Sequence, residues 1–595
     1  MRYQPTPMQH PIKALSWAIL LLLNTPVTQV MANEKEELLK LRNTTINLID
    51  ALVEQGVLNK DAAKKLVQKA EAKAEEDARK EAAEERKHPA EHAPAAETAV
   101  ASKNGEKGPV RVTYVPDFVK DEIRDQVRKE LRRDVLSDVK QHAKNEKWGT
   151  PDALPEWMSR IHWFGDFRTR FQGNFYDQNN MESFIDWNMV NQNGGLYNAS
   201  LRNQATFDTQ NDQYWGRLRA RFGLEAKLAP GLKANIRTST GDINNPVSLN
   251  QQMGNYFNRY TIALDRAFLQ YDAVNEKGFD WGSVLVGRTP NPYFKSTSLV
   301  WYDDVSFEGF STSLRYDISD LTGENKVDIA AGQRQAVFAT AGVHPIQNIN
   351  FNGQSKWLLG LQSGIDYAFS NDSALKTSLA YYDYNNIEGQ PDVLGSTEND
   401  WTAPVYMQKG NSLFVISDYY GNVAQPNNPR LVGLASKFQI MSVDASFDYA
   451  QFAPTHLVLG GSWANNLGFN QQEILQRTGQ NITAQTNAWQ ITGQVGRKEI
   501  RRFGDWRGFL TYRYVERDAV IDAYTDSNFH LGGTNAKGWV FGGEYGLYDN
   551  VWGMLRYFNT EQITAEQQLF AGQSAATTNG PFNINTVQLD LNARF

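Results

Sequence analysis

The sequence predicts an all-β transmembrane barrel of about 16 antiparallel strands, with 18 as the alternative count, preceded by a helical, coiled-coil-like segment. Three observations carry this reading. After Glu156 apolar residues recur at every second position rather than every third or fourth. Short turns and long polar loops take turns between the alternating segments. The longest apolar run, Ala14 to Leu23 with Ser16 inside it, falls well short of the roughly 20 residues a spanning helix needs. Composition agrees: 45 Gly, 25 Tyr, 30 Phe and 15 Trp stand in 595 residues, with no Cys. Without cysteine there is no disulfide framework, thiolate nucleophile or thiolate metal site. A net charge of −7 gives no basic surface for nucleic acid.

Residues 1–32 have the pattern of a secretory signal peptide: Arg2 and Lys13, an apolar core, a break at Asn24 to Pro26, and small residues at Val30 and Ala32. An amphipathic anchor is the alternative. Residues 33–87 are helical, and Leu38, Leu41, Thr45, Leu48 and Leu52 are spaced as a coiled-coil seam. The seam covers barely two heptads, so a plain surface helix is the competing reading. Residues 88–109 form a linker. Residues 110–159 carry a further helix, with Ile123, Val127, Leu131, Val135 and Val139 on one stripe, and lead into the barrel. Lys/Arg and Asp/Glu balance at 26 each over residues 1–159, as in a solvated helical region.

Residues 160–595 form the barrel. The last strand shows the period best: Val587, Leu589, Leu591, Ala593 and Phe595 share one face, while Thr586, Gln588, Asp590, Asn592 and Arg594 share the other. Strands are expected near 160–173, 212–228, 231–240, 262–274, 280–289, 304–317, 325–338, 355–370, 373–385, 436–450, 455–465, 487–498, 504–516, 535–547, 549–561 and 583–595. The tenth fits least well, because Phe438 and Ile440 fall opposite Val443, Ala445 and Phe447. Pairing of Asn411 to Tyr419 would raise the count to 18. An even count puts both barrel ends on the short-turn, periplasmic side, together with the helical segment.

Several runs resemble the bacterial "putative porin" outer-membrane family: Val112 to Arg124, Ala153 to Trp157, Gly287 to Phe294, Trp301 to Gly309, Tyr512 to Val520, Asp526 to Phe529 and the terminal Asn592 to Phe595. The sequence departs from that pattern at Tyr302 and Val305-Ser306. The resemblance implies an outer-membrane pore for small hydrophilic solutes, surrounded by lipid, inserted by the barrel-assembly machinery and trimeric as porins often are. Phe595, ending an amphipathic strand, is then the assembly signal. The barrel reading and its alternative differ in function: a diffusion channel, or a barrel anchor whose periplasmic helices do the work.

A barrel of this size leaves an aqueous lumen. Strand parity turns Arg168 and Arg170, then Arg217, Arg219 and Arg221, then Lys233 and Arg237 inward on three neighbouring strands. Arginine facing lipid near the midplane would cost about 2–4 kcal/mol. The competing reading pairs them with carboxylates in a filled polar lumen. The third long loop brings Lys295, Asp303 and Asp304, with Glu308 just after it, as a constriction facing the arginines. Its carboxylates are otherwise solvated, or a divalent-cation site. No cofactor is called for, and no nucleophile, zinc or phosphate motif is present. A lipase pairing of His456 with Ser446 or Ser462 is the remaining enzymatic alternative.

Overall fold

The computed structural model describes residue 158 and residues 160–595, apart from 203–204, 277, 320–334, 352, 370–372, 421–422, 426–427 and 565–580. The signal peptide, the helical segment, the linker and the lead-in lie outside the described residues.

Sixteen strands cross the barrel. They are β1 (Ile161–Tyr176), β2 (Gln213–Ala229), β3 (Leu232–Ser239), β4 (Ala263–Val274), β5 (Asp280–Thr289), β6 (Phe307–Asp317), β7 (Gln335–Gln347), β8 (Lys356–Ala368), β9 (Ala374–Asn385), β10 (Phe438–Tyr449), β11 (His456–Asn466), β12 (Asn487–Gly496), β13 (Trp506–Val515), β14 (Ala536–Tyr548), β15 (Val551–Gln562) and β16 (Asn583–Arg594). Each pairs antiparallel with its sequence neighbours, and β1 also pairs β16, with Thr169 opposite Leu591. A two-residue stub, Gln251–Gln252, joins the same sheet beside β2 without crossing it. Closure leaves no sheet edge, which a lipid environment requires.

The pleat sorts side chains as the period demands. Phe167, Phe171, Phe222 and Leu589 are exposed on the outside, while Arg170, Gln172, Gln588 and Asp590 are buried inside. Outward aromatics form two girdles: Trp163, Trp281, Trp506 and Tyr545 near the short-turn end, and Tyr214, Trp489, Trp539 and Tyr557 near the long-loop end.

Two expectations change, and a third finds its reason. The seventh strand is Gln335–Gln347 rather than 325–338. Its outward face is Val337, Ala339, Ala341 and Val343, against Thr340, Gly342 and His344 inside. Such small residues leave a faint hydropathy signal. The 18-strand count fails, because Leu413–Ser417 pairs Leu431–Leu434 in a separate two-stranded sheet inside the loops. The parity conflict in β10 is real and explained: Phe438 and Ile440 are fully buried pointing inward, whereas Val443 and Phe447 face out. What they meet inside is protein. Loops 240–262, 290–306, 386–437 and 516–535 fold into the long-loop half of the lumen. There Val247, Leu299, Trp301, Val432, Leu434, Val520 and Phe529 form one apolar core with Phe438 and Ile440. Short helices also sit in this layer. Gln471–Thr478, capped by Asn470 on the amides of Gln472 and Glu473, buries Ile474 against the loop residues Phe414 and Ile416.

Candidate pore constriction

The inward face of β1 carries Asp166, Arg168 and Arg170, and that of β2 carries Arg217, Arg219 and Arg221. Register places Arg168 opposite Arg219, Arg170 opposite Arg217, and Asp166 opposite Arg221. Like charges directly opposed are unfavourable, so the wall needs carboxylates threaded through it. Asp166 supplies one, with Oδ1 2.9 Å from Arg219 and Oδ2 2.7 Å from Arg221. Asp590 on β16 supplies another: Arg170 donates to it from Nε at 2.7 Å and Nη2 at 2.8 Å, and Arg556 on β15 lies 3.6 Å away. On β3 and β4, Arg237 donates to Asp265 at 2.6 Å. Lys233 also faces in, but nearer the short-turn end, where it pairs with Asp272 at 3.2 Å.

Loop 290–306 crosses the lumen, bonding to strands on both sides of it. Tyr293 meets His344 on β7 at 3.1 Å, Phe294 exchanges hydrogen bonds with Gln362 on β8 at 2.7 Å, and the Ser296 amide donates to Asp444 on β10 at 2.9 Å. Thr297 donates to Ser462 on β11 at 2.8 Å. The loop then turns back, buries Leu299, Val300 and Trp301, and carries Asp304 to the opposite wall. There Asp304 Oδ1 lies 3.5 Å from both Arg219 and Arg221. Tyr302, one of the departures from the family pattern, joins the same junction: Asn528 donates to its hydroxyl at 2.6 Å and accepts from Arg170 at 2.7 Å. Burial pushes the Tyr302 phenol up to about 12, so it stays neutral beside the arginines.

The expected constriction set is therefore brought together only in part. Asp304 meets the arginines. Asp303 instead forms an ion pair with Lys295 on its own loop. Glu308 leaves the set altogether: it lies on the outward face of β6 with Phe310 and Leu314, paired with Arg288 at 2.6 Å near the long-loop end. The three carboxylates thus disperse to four cationic partners at three separate places, and no metal-holding cluster occurs among the described residues. Nor do the lipase residues meet. His456 bonds Asp448 at 2.8 Å, while Ser446 stands opposite Gly460, four residues and about 13 Å along the strand, and Ser462 lies six residues along it, about 20 Å away, and donates to Asp444.

Sequence reading missed Asp166, Asp265, Arg266 and Arg556. Parity would have found Asp166, two positions before Arg168, and Arg556, on the inward face of β15. Asp265 was out of its reach. It is the extra residue where the β3–β4 register shifts between Arg237 and Thr238, so Asp265 and Arg266 both turn inward. The inward cluster holds Arg168, Arg170, Arg217, Arg219, Arg221, Arg237, Arg266 and Arg556. Against them stand Asp166, Asp265, Asp304, Asp526 and Asp590, an excess of three cations (8 − 5). Among the described residues no carboxylate lies within ion-pair distance of Arg168, Arg217 or Arg266.

Comparison with solved structures finds barrels of similar extent at low identity. OprB of Pseudomonas putida at high pH is 10% identical, covers 76% of this chain and 97% of its own, with a TM-score of 0.40. OmpT of Vibrio cholerae, in trimer form, is 9% identical over 73% of this chain and 99% of its own, at 0.34. Salmonella typhi OmpF in complex with daunomycin is 10% identical over 73% and 97%, at 0.36. No curated protein gave a significant match. The model of the "Putative porin" family matches residues 42–595. With that match across nearly the whole sequence, the chain belongs to the Putative porin family of outer-membrane channels.

Proposed function

We propose that small hydrophilic solutes and ions cross this outer-membrane porin by passive diffusion past the gap between the β1–β4 arginine wall and loop 290–306, where anions are favoured. The observation that carries this is the excess of inward cations at the level where Asp304 meets Arg219 and Arg221. Residues 160–595, strands and loops together, sum to 34 Lys/Arg against 41 Asp/Glu, so the preference is local, not a property of the whole barrel. The short turns face the periplasm, which an even strand number extends to both barrel ends. The barrel needs no catalytic residue for this task. A homotrimer is its working assembly, in keeping with the family resemblance.

The test is the sign of the reversal potential in planar bilayers. An ion about 4 Å from one unit charge in water-like surroundings feels about 1 kcal/mol, roughly a fivefold change in occupancy. Replacing Arg219 and Arg221 by Gln is expected to shift selectivity toward cations by about that factor, and Asp304→Asn to shift it toward anions. Both shifts shrink in molar salt, where the screening length falls to about 3 Å. Conducting channels whose selectivity ignores all three changes would place the narrow part elsewhere. A barrel that never conducts would favour the anchor reading instead.

A further inference from the structure

Loop 290–306 leaves a second side of the lumen open. Between it and β12–β14 lies a cavity of about 330 Å³, within the ~300–1,000 Å³ typical of small-molecule sites. Its chemistry differs from that of the arginine wall. Each cation lining it is matched by a carboxylate: Lys295 pairs with Asp303, and Arg507 grips Glu544 in two bonds of 2.9 and 2.8 Å. Between these pairs the wall is neutral. Gln490, Thr492 and Gln494 line it from β12 and Thr511 from β13, with the two threonine hydroxyls 2.9 Å apart. Two lining acceptors are buried without a protein partner: Gln490 Oε1, on a residue only 8% exposed, and Ser296 Oγ.

An aromatic plate completes the set. Phe509 stands beside Gln494 on one side and Gly542 on the other. A Cβ on Gly542 would come within 2.1 Å of the ring, so the ring lies across that glycine and is held against the wall. Arg507 and Glu544 sit one inward row toward the short-turn end, so a ligand resting on the ring reaches the ion pair at its edge.

We propose that this cavity is a subsite for a neutral cyclic polyol, a mono- or disaccharide, on the diffusion path of the channel. Such a molecule has an apolar C–H face to lay on Phe509 and a rim of hydroxyls that both donate and accept. Amides, hydroxyls and an already paired Arg–Glu satisfy such a rim. The self-cancelled charge gives an ion no advantage here, in contrast to the β1–β4 wall. The inference rests on the channel reading, and the test separates the two.

The full chain is reconstituted in planar bilayers and titrated with maltose, with glycerol at equal osmolarity as the unstacked control. Absence of ionic current in the unmodified protein would be failure of the channel reading. In a conducting channel, maltose is expected to lower the current saturably while glycerol does so only in proportion to concentration. Phe509→Ala should raise the half-blocking concentration roughly tenfold, Gln490→Ala should raise it severalfold, and Phe509→Trp should leave it within about twofold. Where Phe509→Ala fails to give a heat-modifiable barrel, Phe509→Leu against Phe509→Trp makes the same comparison of apolar bulk with a flat ring. Maltose acting like glycerol on the unmodified channel, or saturable block indifferent to loss of the ring, would overturn the proposal.

Discussion

The Phe595 ring lies where a side chain on Gly165 would be: a Cβ there would come within 2.5 Å of it. The Gly165 and Phe595 backbones exchange two hydrogen bonds of 3.1 Å, and the ring lies 6.4 Å, centroid to centroid, from Phe222 on β2. One residue thus seals three strands at the seam where the first meets the last. Phe595→Ala is expected to lower the yield of heat-modifiable barrel in outer membranes and its unfolding midpoint, by well under the about 3–5 kcal/mol of a buried aromatic, since the residue is 69% exposed. Equal yield and midpoint would show that the seam closes on backbone bonds alone. Glu308 teaches a different lesson at this scale. A charged residue beside a loop reads as a loop residue, yet its parity with Phe310 turned it outward. At the barrel rim even an arginine or lysine costs only about 0–1 kcal/mol rather than the about 2–4 kcal/mol of the midplane, a carboxylate costs less, and Arg288 neutralises this one.

The element that most shapes the lumen is the interlock of residues 408–412 with loop 516–535. Every side chain in that stretch except Gly410 bonds across it. Gln408 donates to the carbonyls of Asp522 and Thr525, Lys409 to those of His530 and Gly532, and Asn411 to those of Arg517 and Val520. Ser412 donates from its amide and hydroxyl to Asp518 at 2.8 and 2.6 Å. Burial pushes the Asp518 carboxyl up to about 6 against the Ser412 hydrogen bonds, and that of Asp522 up to about 7 against the backbone amides of Gln408 and Ala523, with Arg517 and Lys409 opposing least. Folded values above the usual 3.8 mean that the interlock has its full stability below that value and loses it as pH rises through 6 and then 7. Amide protection factors over residues 408–412 are therefore expected to fall between pH 5 and pH 8. Asp522→Asn should flatten that fall, and protection that rises with pH in the unmodified chain would contradict the sign.

At the scale of the molecule, these loops make the lumen two-layered. Toward the long-loop end the barrel encloses an apolar core, and toward the short-turn end it stays polar. On the proposed path, solutes pass beside loop 290–306, with arginines on one flank and amides on the other. Replacing residues 387–434 by a short turn, with Phe438→Ser and Ile440→Ser to suit a wetted wall, should leave the sixteen-strand barrel intact and raise single-channel conductance. An unchanged conductance would mean that the narrowing by loop 290–306 alone limits flow.

Fifteen of the sixteen strands, their antiparallel order and the inward parity of Arg168, Arg170, Arg217, Arg219 and Arg221 were legible in the sequence itself, while the choice of 16 over 18 fell to the pairing of Leu413–Ser417 inside the loops. A pleated wall between lipid and water punishes any other period, so side-chain alternation is written into almost every strand. It faded only at β7, where alanine and glycine stand in for larger residues, and it reversed at β10. The reason for that reversal, the inward turn of Asp265 at a bulge, the pairing of Asp303 with Lys295 and the interlock of two distant loops were decided by tertiary structure alone. Loops carry no period, and what their charges do depends on which wall they reach. Asp304 and Asp303 are neighbours in sequence, yet one faces β2 and the other Lys295, because the chain between them changes direction inside the lumen.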